Sequence, residues 1–435
     1  MKISKYNIFL EDLVSENGIL AYNSRTGAMA IIEREKFNLL KEFELTGKDI
    51  PDNKFINELL EGGFIIHDDI DELKLLKMNL LQSRYRNGNL GLTIATTLSC
   101  NFRCVYCYEK NVVEKGAMSE EVQKLILDFV KSKIKKLSSL SITWYGGEPL
   151  CAWNVIENLS REFICLCEKN DVVYDANIIT NGYLLTKDIA QKLVEFKVKN
   201  IQITIDGPKE IHDNRRFLAD GSGTYDQIMS NLSECANILE MIGIRINTDN
   251  DNIDKVTEII ETLNGFGLQD KIHVTLGFVE SINNSYKKEK CFEYNIFQKK
   301  QVELVQKGIL SATSFYPQPR FNYCGADSGS ALVIDPEGKV YKCWCDIGVN
   351  EKIVGDIHNL EKINNMDVYT EYILYDPTED KKCQKCICLP FCKGGCPHKR
   401  LAGAERCDMN EENLELFLKM CANEIISREE YDDEK

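Results

Sequence analysis

The sequence predicts an α/β chain whose middle half is a parallel sheet or barrel, with a small hairpin-and-helix module before it and a cysteine-rich region after it. Three observations carry this reading. From about residue 90 to 280, short apolar strands alternate with amphipathic helices, the pattern of repeated βα units. Ahead of them, two strand-like runs precede three helical ones. Behind them, regular structure thins while cysteines crowd together.

The 435 residues are enough for two or three domains, and 43% apolar with 28% charged residues is ordinary for a globular protein. A net charge of -15 argues against a nucleic-acid or anionic-membrane partner, since both need clustered Lys and Arg. No apolar run approaches the ~18 residues of a membrane span, and the opening MKISKYNIFLEDLV carries acidic residues where a signal peptide would be apolar. The expected location is the cytoplasm, where eighteen cysteines point to metal ligation or catalysis rather than disulfides.

Residues 1–88 read as a separate unit. GILAYNS and GAMAIIE form strands joined around Arg25-Thr26-Gly27, and EKFNLLKEF, NKFINELLEGGFII and DELKLLKMNLLQSRY are helical. This order suits a winged-helix-like module whose free strand edge accepts an extended peptide, or a structural cap for the next domain. Residues 89–315 hold the βα units: LTIATT, helix 119–136, SITWYG, helix 153–169, ANIITNG, helix 186–196, IQITIDG, helix 225–240, IRINTD, helix 253–265 and IHVTLG. Functional loops are expected at the C-terminal ends of these strands. Tyr316-Pro317-Gln318-Pro319 marks a second boundary, and 316–435 retains one hairpin, ALVIDPEGKVYKC, and a final helix. In that last region metal clusters are expected to substitute for a hydrophobic core.

Cys100, Cys104 and Cys107, in TLSCNFRCVYCYEK, lie on the loop after the first strand of the βα region. A zinc site wants a fourth ligand, and none is adjacent. Three thiolates on a four-iron four-sulfur cluster instead leave one iron open, which is what reductive cleavage of S-adenosylmethionine (SAM) needs. Tyr106, just before the third cysteine, suits packing near adenine or plain packing. Gly146, Gly147, Glu148 and Pro149 end the next strand, where glycines let backbone approach a ligand and Glu148 can accept hydrogen bonds from an ammonium. Later strand ends carry Asn181, Thr204, Asp206 and Asn247, short polar groups suited to ribose or carboxylate. Arg216 suits bidentate binding of the SAM carboxylate.

A second constellation runs Cys324, Cys343, Cys383, Cys386, Cys392, Cys396 and Cys407. Cys151, Cys165, Cys167 and Cys235 stand apart and read as small buried hydrophobes.

Over residues 90–280 these motifs resemble the radical SAM superfamily, and the second constellation resembles its SPASM extension. The resemblance implies a partial (β/α) barrel and three four-iron four-sulfur clusters, one binding SAM and two auxiliary. It places one auxiliary cluster on Cys324, Cys343 and Cys396, and the other on Cys383, Cys386, Cys392 and Cys407. Some relatives carry a further cysteine shortly after the equivalent of Cys324, where this chain reads GADSGS. The fourth ligand is Cys345, Cys291 or nothing from the protein, and an open iron there would take a substrate thiolate. Cys388 and Cys421 are spare, and Cys421 is an alternative to Cys407.

The order of domains resembles maturases of ribosomally made peptides of the thioether-forming sactipeptide and ranthipeptide type. That implies an oxidoreductase that binds a precursor peptide by its leader, takes electrons from a flavodoxin or ferredoxin, abstracts a hydrogen and closes a cross-link. Carbon-carbon or ether links are alternatives. A second reading, the anaerobic sulfatase maturase, is disfavoured by the 90 residues before the cysteine triplet and by Trp344 where those enzymes carry an aspartate. A zinc protein with structural knuckles is disfavoured by the charge and by the GGEP context. No residue is singled out as the protein acid or base.

Overall fold

The computed structural model describes residues 1–11, 18–109, 116–268, 271–282, 285–359, 363–403, 407 and 411–433. The chain divides into two compact units. The smaller combines Met1–Arg84, Gln298–Asp327 and Leu374–Lys435, and the larger combines Tyr85–Phe297 and Ser328–Ile373. These units do not coincide with the three sequence segments, for reasons visible in each.

In the smaller unit β1 (Asn7–Leu10), β2 (Gly18–Asn23) and β3 (Met29–Glu33) form an antiparallel sheet in that order. α1 (Arg34–Thr46), α2 (Asn53–Glu61) and α3 (Glu72–Tyr85) come next. Asp52 starts α2 by accepting from the amides of Lys54 and Phe55. One face of β2 packs Ile19 and Ala21 onto Phe37, Leu40, Phe55 and Leu59. Its other face presents Leu20 and Tyr22 to Cys388, Phe391 and, from the C-terminal helix Glu411–Asp433, Leu414 and Leu418. The first 88 residues thus have a core of their own on one face of β2 and share its other face with the cysteine-rich tail, which does bury apolar side chains. Alternating apolar residues leave both faces of β2 hydrophobic, and each face needs a cover.

The larger unit is built on a nine-stranded sheet. Six parallel strands run β4 (Asn89–Thr97), β5 (Ser139–Gly146), β6 (Val173–Thr180), β7 (Val198–Thr204), β8 (Ile242–Thr248) and β9 (Ile272–Phe278). Helices connect them, among them α4 (Glu120–Lys133), α5 (Trp153–Glu168), α6 (Lys187–Glu195) and α7 (Lys209–Arg215). Ser119 and Thr186 cap α4 and α6. Strands covered on both faces read as continuous apolar runs, whereas β5 and β6 alternate. Leu140, Ile142 and Trp144 are buried on one face of β5, and Ser141, Thr143 and Tyr145 lie half-buried on the other. That second face is polar across strands: Ser141 donates to Asp175 at 2.8 Å and Asn200 to Asn177 at 2.7 Å.

The expected hairpin forms as β10 (Ala331–Ile334) and β11 (Lys339–Tyr341), with β12 (Gly355–Asp356) beyond. It joins this sheet, because β10 pairs in parallel with β4 from Ala331 beside Gly91 to Ile334 beside Ile94. Val333, Tyr341 and Ile347 pack on Ala95 and Leu98. Segment 328–373 thus extends the larger unit. Among the described residues no helix is long and apolar enough to cross a membrane.

Candidate active site

The site is assembled at the C-terminal ends of β4 to β8. The cysteine loop after β4 is laced to two neighbours. Gly147 N donates to Thr97 O at 3.0 Å and Glu148 N to Ser99 O at 3.1 Å. Gly146 has φ 129, and a Cβ on Gly147 would lie 2.5 Å from Ser99 O. The paired glycines therefore admit the backbone of the cysteine loop, where close approach to a ligand was expected. On the other side Arg103 N donates to Phe217 O and Val105 N to Arg215 O.

All three thiols have raised pKa values, chiefly through burial. Cys107 is pushed up to about 12 by burial and then by Cys104. Cys100 is pushed up by burial and by the nearby Glu148, and Cys104 by burial, with the Arg216 cation resisting. Three such thiols ionise together only beside positive charge, which a metal cluster provides. Among the described residues no group of three or more His, Cys, Asp or Glu side chains stands ready to hold a single metal ion. The donor set fits an iron-sulfur cluster, being sulfur alone. Two buried donors beside it, Asn101 Nδ2 and Arg216 Nε, have no partner among the described residues. They are placed to meet polar groups of a ligand.

Glu148 is 1% exposed. Its Oε1 accepts from Leu150 N at 3.0 Å and Thr180 Oγ1 at 2.7 Å, and its Oε2 from Asn181 N at 2.7 Å. Burial raises its pKa, and these bonds and the Arg216 cation hold it down. A carboxylate offers about four acceptor positions, so one remains for an ammonium. Pro149 begins a buried 3-10 turn, its carbonyl accepting from Thr96. Asn181 donates to Asn101 Oδ1 at 2.8 Å and accepts from Tyr183 N, which makes it a turn residue as well.

The remaining predicted residues gather around the Tyr106 hydroxyl. It accepts from Arg216 Nη1 at 2.6 Å and Asn247 Nδ2 at 3.2 Å. Arg216 thus has one arm committed, and its guanidinium lies over the Phe102 ring at 5.7 Å. Asp206 is fully buried and engaged: it accepts from Arg215 Nε at 3.1 Å and Asn247 N at 3.3 Å. Thr204 is buried at the end of β7.

Sequence reasoning passes over Arg215 in favour of Arg216 beside it. Arg215 also donates to Asp249 Oδ2 at 2.6 Å and Asn247 O at 3.1 Å, and lies over the Tyr106 ring at 5.1 Å. A cavity of about 600 Å³ opens beside Val105 and Arg215, with Tyr286 and Lys290 on its wall. Glu148 and Asn181 do not line it.

A second group that sequence reasoning misses sits on the polar face of β5. Tyr108 and Tyr145 share a hydrogen bond through their hydroxyls, and Trp344 stacks on Tyr145 at 5.5 Å and 17°. Glu109 is buried, its Oε1 has no partner among the described residues, and burial raises its pKa to about 7. A glutamate beside a lysine in a loop carries no sequence signal of this kind.

Of the second constellation, Cys343 belongs to the larger unit, and Cys324, Cys383, Cys386, Cys392, Cys396 and Cys407 to the smaller. The Cys343 thiol is raised first by its hydrogen bond with Cys345. Cys291 instead neighbours Asp249 and Glu280. Cys383 is pushed up to about 12 by burial, with Asp380, Cys392 and Cys386 nearby. Cys388 is a core residue, and buried Cys421 donates to Ala312 O. Cys167 and Cys235 are buried as expected, but Cys151 and Cys165 are exposed, because each falls on the outward side of its helical segment.

Residues 94–263 match the Radical SAM superfamily. The chain is 24% identical over 383 residues to the radical SAM cyclopropyl synthase TigE of Paramaledivibacter caminithermalis, covering 79% of this chain and 76% of TigE. It is 24% identical over 333 residues to the cysteine-type anaerobic sulfatase-maturating enzyme of Clostridium novyi, covering 68% of this chain and 85% of that enzyme. Among solved structures, anSMEcpe with bound AdoMet and Cp18Cys peptide superposes with a TM-score of 0.60 at 20% identity, over 78% of this chain and 98% of that one. Streptococcus suis SuiB bound to precursor peptide SuiA gives 0.53 at 15% identity, over 93% and 97%. With the cysteine loop, the buried Glu148 and the parallel sheet in place, residues 94–263 are a Radical SAM domain, and the chain is an enzyme similar to maturases built on that domain.

Proposed function

We propose that this enzyme matures a ribosomally made peptide, abstracting a hydrogen atom from one residue and closing an intramolecular cross-link, with a thioether from a peptide cysteine as the favoured product. When bound at Cys100, Cys104 and Cys107, the cluster supplies the electron that cleaves SAM to methionine and the 5'-deoxyadenosyl radical. The chain's own residues orient SAM: Glu148 accepts from its ammonium, while Arg216 and Asn101 offer buried donors. Asn181, Thr204, Asp206 and Asn247 frame the same loop, Asn181 by its bond to Asn101, Asn247 by its bond to the loop's Tyr106 and Asp206 through Arg215.

The observation that carries the peptide reading is the edge of the N-terminal sheet. Among the described residues β3 pairs only with β2, and Ala30 and Ile31 on it are exposed, Ile31 by 49%. An open edge with an apolar outward side chain suits a leader peptide added as a strand. SuiB, a structural neighbour bound to precursor peptide SuiA, supports a peptide substrate by likeness. Two auxiliary clusters on the sets read from the sequence would take the second electron as the cross-link closes, with the thiol proton passing to solvent, and a flavodoxin or ferredoxin would supply the electron that cleaves SAM.

The thioether rests on GADSGS after Cys324, which lacks a further cysteine and leaves a position for a substrate thiolate. Carbon-carbon or ether linkage is the second reading, favoured by Cys345, whose thiol lies within hydrogen-bonding reach of Cys343 and can fill that position. Co-expression with a short peptide encoded beside this chain, followed by mass spectrometry, tests the proposal. Each cross-link removes two hydrogens, and alkylation of the product distinguishes a consumed cysteine from a free one. An unmodified peptide from enzyme that cleaves SAM would contradict it.

A further inference from the structure

Two buried cations, Arg84 and Lys393, and the half-buried Arg400 lie together in the smaller unit, and among the described residues Asp327 is the carboxylate beside them. Arg84 is 2% exposed and donates to Asp327, itself 1% exposed, at 2.8 Å. It also reaches Asn322 Oδ1 and the Tyr375 carbonyl. Arg400 lies 3.6 Å from the centroid of the Tyr375 ring, and both its terminal nitrogens are sealed from solvent with no hydrogen-bond partner among the described residues. Lys393 is 2% exposed, with the Arg84 cation as its charged neighbour.

The backbone makes this arrangement more costly. Lys393 adopts φ 51, in the left-handed region that side chains disfavour, and Gly394 and Gly395 come after it at φ 82 and 77. A Cβ on Gly394 would lie 2.7 Å from the Tyr375 ring. The chain therefore strains itself to turn a lysine inward, toward the Arg84 cation. Uncompensated buried charge is strongly unfavourable, and among the described residues Asp327, already held by Arg84, is the carboxylate near these cations.

The residues around the nest identify its chemistry. Lys393 is next to Cys392 and lies three residues before Cys396. Arg400 has Cys396 among its close charge neighbours, and Tyr375 beneath it bonds with Cys383. Asp327, which holds Arg84, also accepts from the amide of Cys324 at 3.2 Å. We propose that Lys393 and Arg400 are the counter-charge of an anionic iron-sulfur group bound by the cysteines of this unit, and that they raise its reduction potential by favouring the more negative, reduced form. This rests on the auxiliary clusters of the proposed function.

The test uses the full chain, reconstituted anaerobically, as wild type and as Lys393→Met, Arg400→Met and the charge-keeping Lys393→Arg. Iron per chain, the reduction potential followed by electron paramagnetic resonance, and thermal melting before and after chelator treatment are read. Wild type is expected to hold about twelve irons. Each Met variant is expected to lose part of that iron or to show an auxiliary signal at lower potential, while Lys393→Arg keeps wild-type values. In chelator-stripped protein the sign reverses, and both Met variants melt above wild type, because an unpaired buried charge is gone. Met variants with wild-type iron content and potential would overturn the inference, as would Met variants that melt below wild type after stripping. A wild type that holds only about four irons would overturn the cluster reading instead.

Discussion

Asn181 donates its backbone amide to Glu148 Oε2 at 2.7 Å, tying the end of β6 to the GGEP turn after β5. With the Thr180 and Leu150 donors, this bond aims the carboxylate and leaves one acceptor position. Glu148→Gln keeps the size but removes the charge, and a charged hydrogen bond contributes about 1.5–3 kcal/mol. SAM affinity is therefore expected to fall about 10- to 100-fold, by equilibrium dialysis of the reconstituted enzyme, with iron content unchanged. Unchanged affinity would show that the ammonium lies elsewhere.

Arg215 bridges two fully buried carboxylates, Asp206 and Asp249. Removing one partner of a buried ionic network costs about 3–5 kcal/mol, because the others are left uncompensated. Arg215→Met is expected to lower the unfolding free energy of cluster-free protein by about that amount in urea titrations. A loss below about 1 kcal/mol would mean that the site relaxes or hydrates.

Glu109 titrates at about 7 in the folded chain, against an ordinary value of 4.5, because burial disfavours its charge. Its folded pKa is raised, so the protonated form favours folding below pH 4.5, and that stability is lost as pH rises through 7. The loss amounts to about 3 kcal/mol at most. Glu109→Gln, measured as cluster-free protein, is expected to flatten the melting profile between those two pH values and to melt higher than wild type in mildly alkaline buffer. A profile identical to wild type would remove Glu109 as its source.

Ile31 projects from the free edge of the N-terminal sheet. Burying an aliphatic side chain contributes about 1.5–3 kcal/mol, so Ile31→Asp is expected to weaken leader binding at least about tenfold. SAM cleavage in the absence of peptide is expected to continue at the wild-type rate. Fluorescence anisotropy of a labelled leader separates the two, and undiminished binding would place the leader on another surface.

Much of this was legible because it depends on local order. The βα alternation reflects strand and helix periods, and helices 153–169 and 186–196 appear within a residue of α5 and α6. The cysteine triplet and GGEP lie in short contiguous runs at strand ends. What escaped depends on pairing across long stretches of chain. β10 joins β4 from far along the sequence, and β2 needs the C-terminal helix to cover Leu20 and Tyr22. The choice between Arg215 and Arg216 is likewise tertiary: α7 ends at Arg215, and the turn sends the two side chains to different partners. Lys393 reads as an ordinary loop lysine, and only its burial and left-handed backbone set it apart.

The central claim is that the loop of Cys100, Cys104 and Cys107 supports radical chemistry on SAM. It is tested most directly by incubating anaerobically reconstituted enzyme with SAM and a low-potential reductant and measuring 5'-deoxyadenosine by liquid chromatography. Wild type is expected to release it over several turnovers and Cys104→Ala to release none. A wild type that holds its iron and forms no 5'-deoxyadenosine, or a Cys104→Ala variant that forms it at the wild-type rate, would contradict the account.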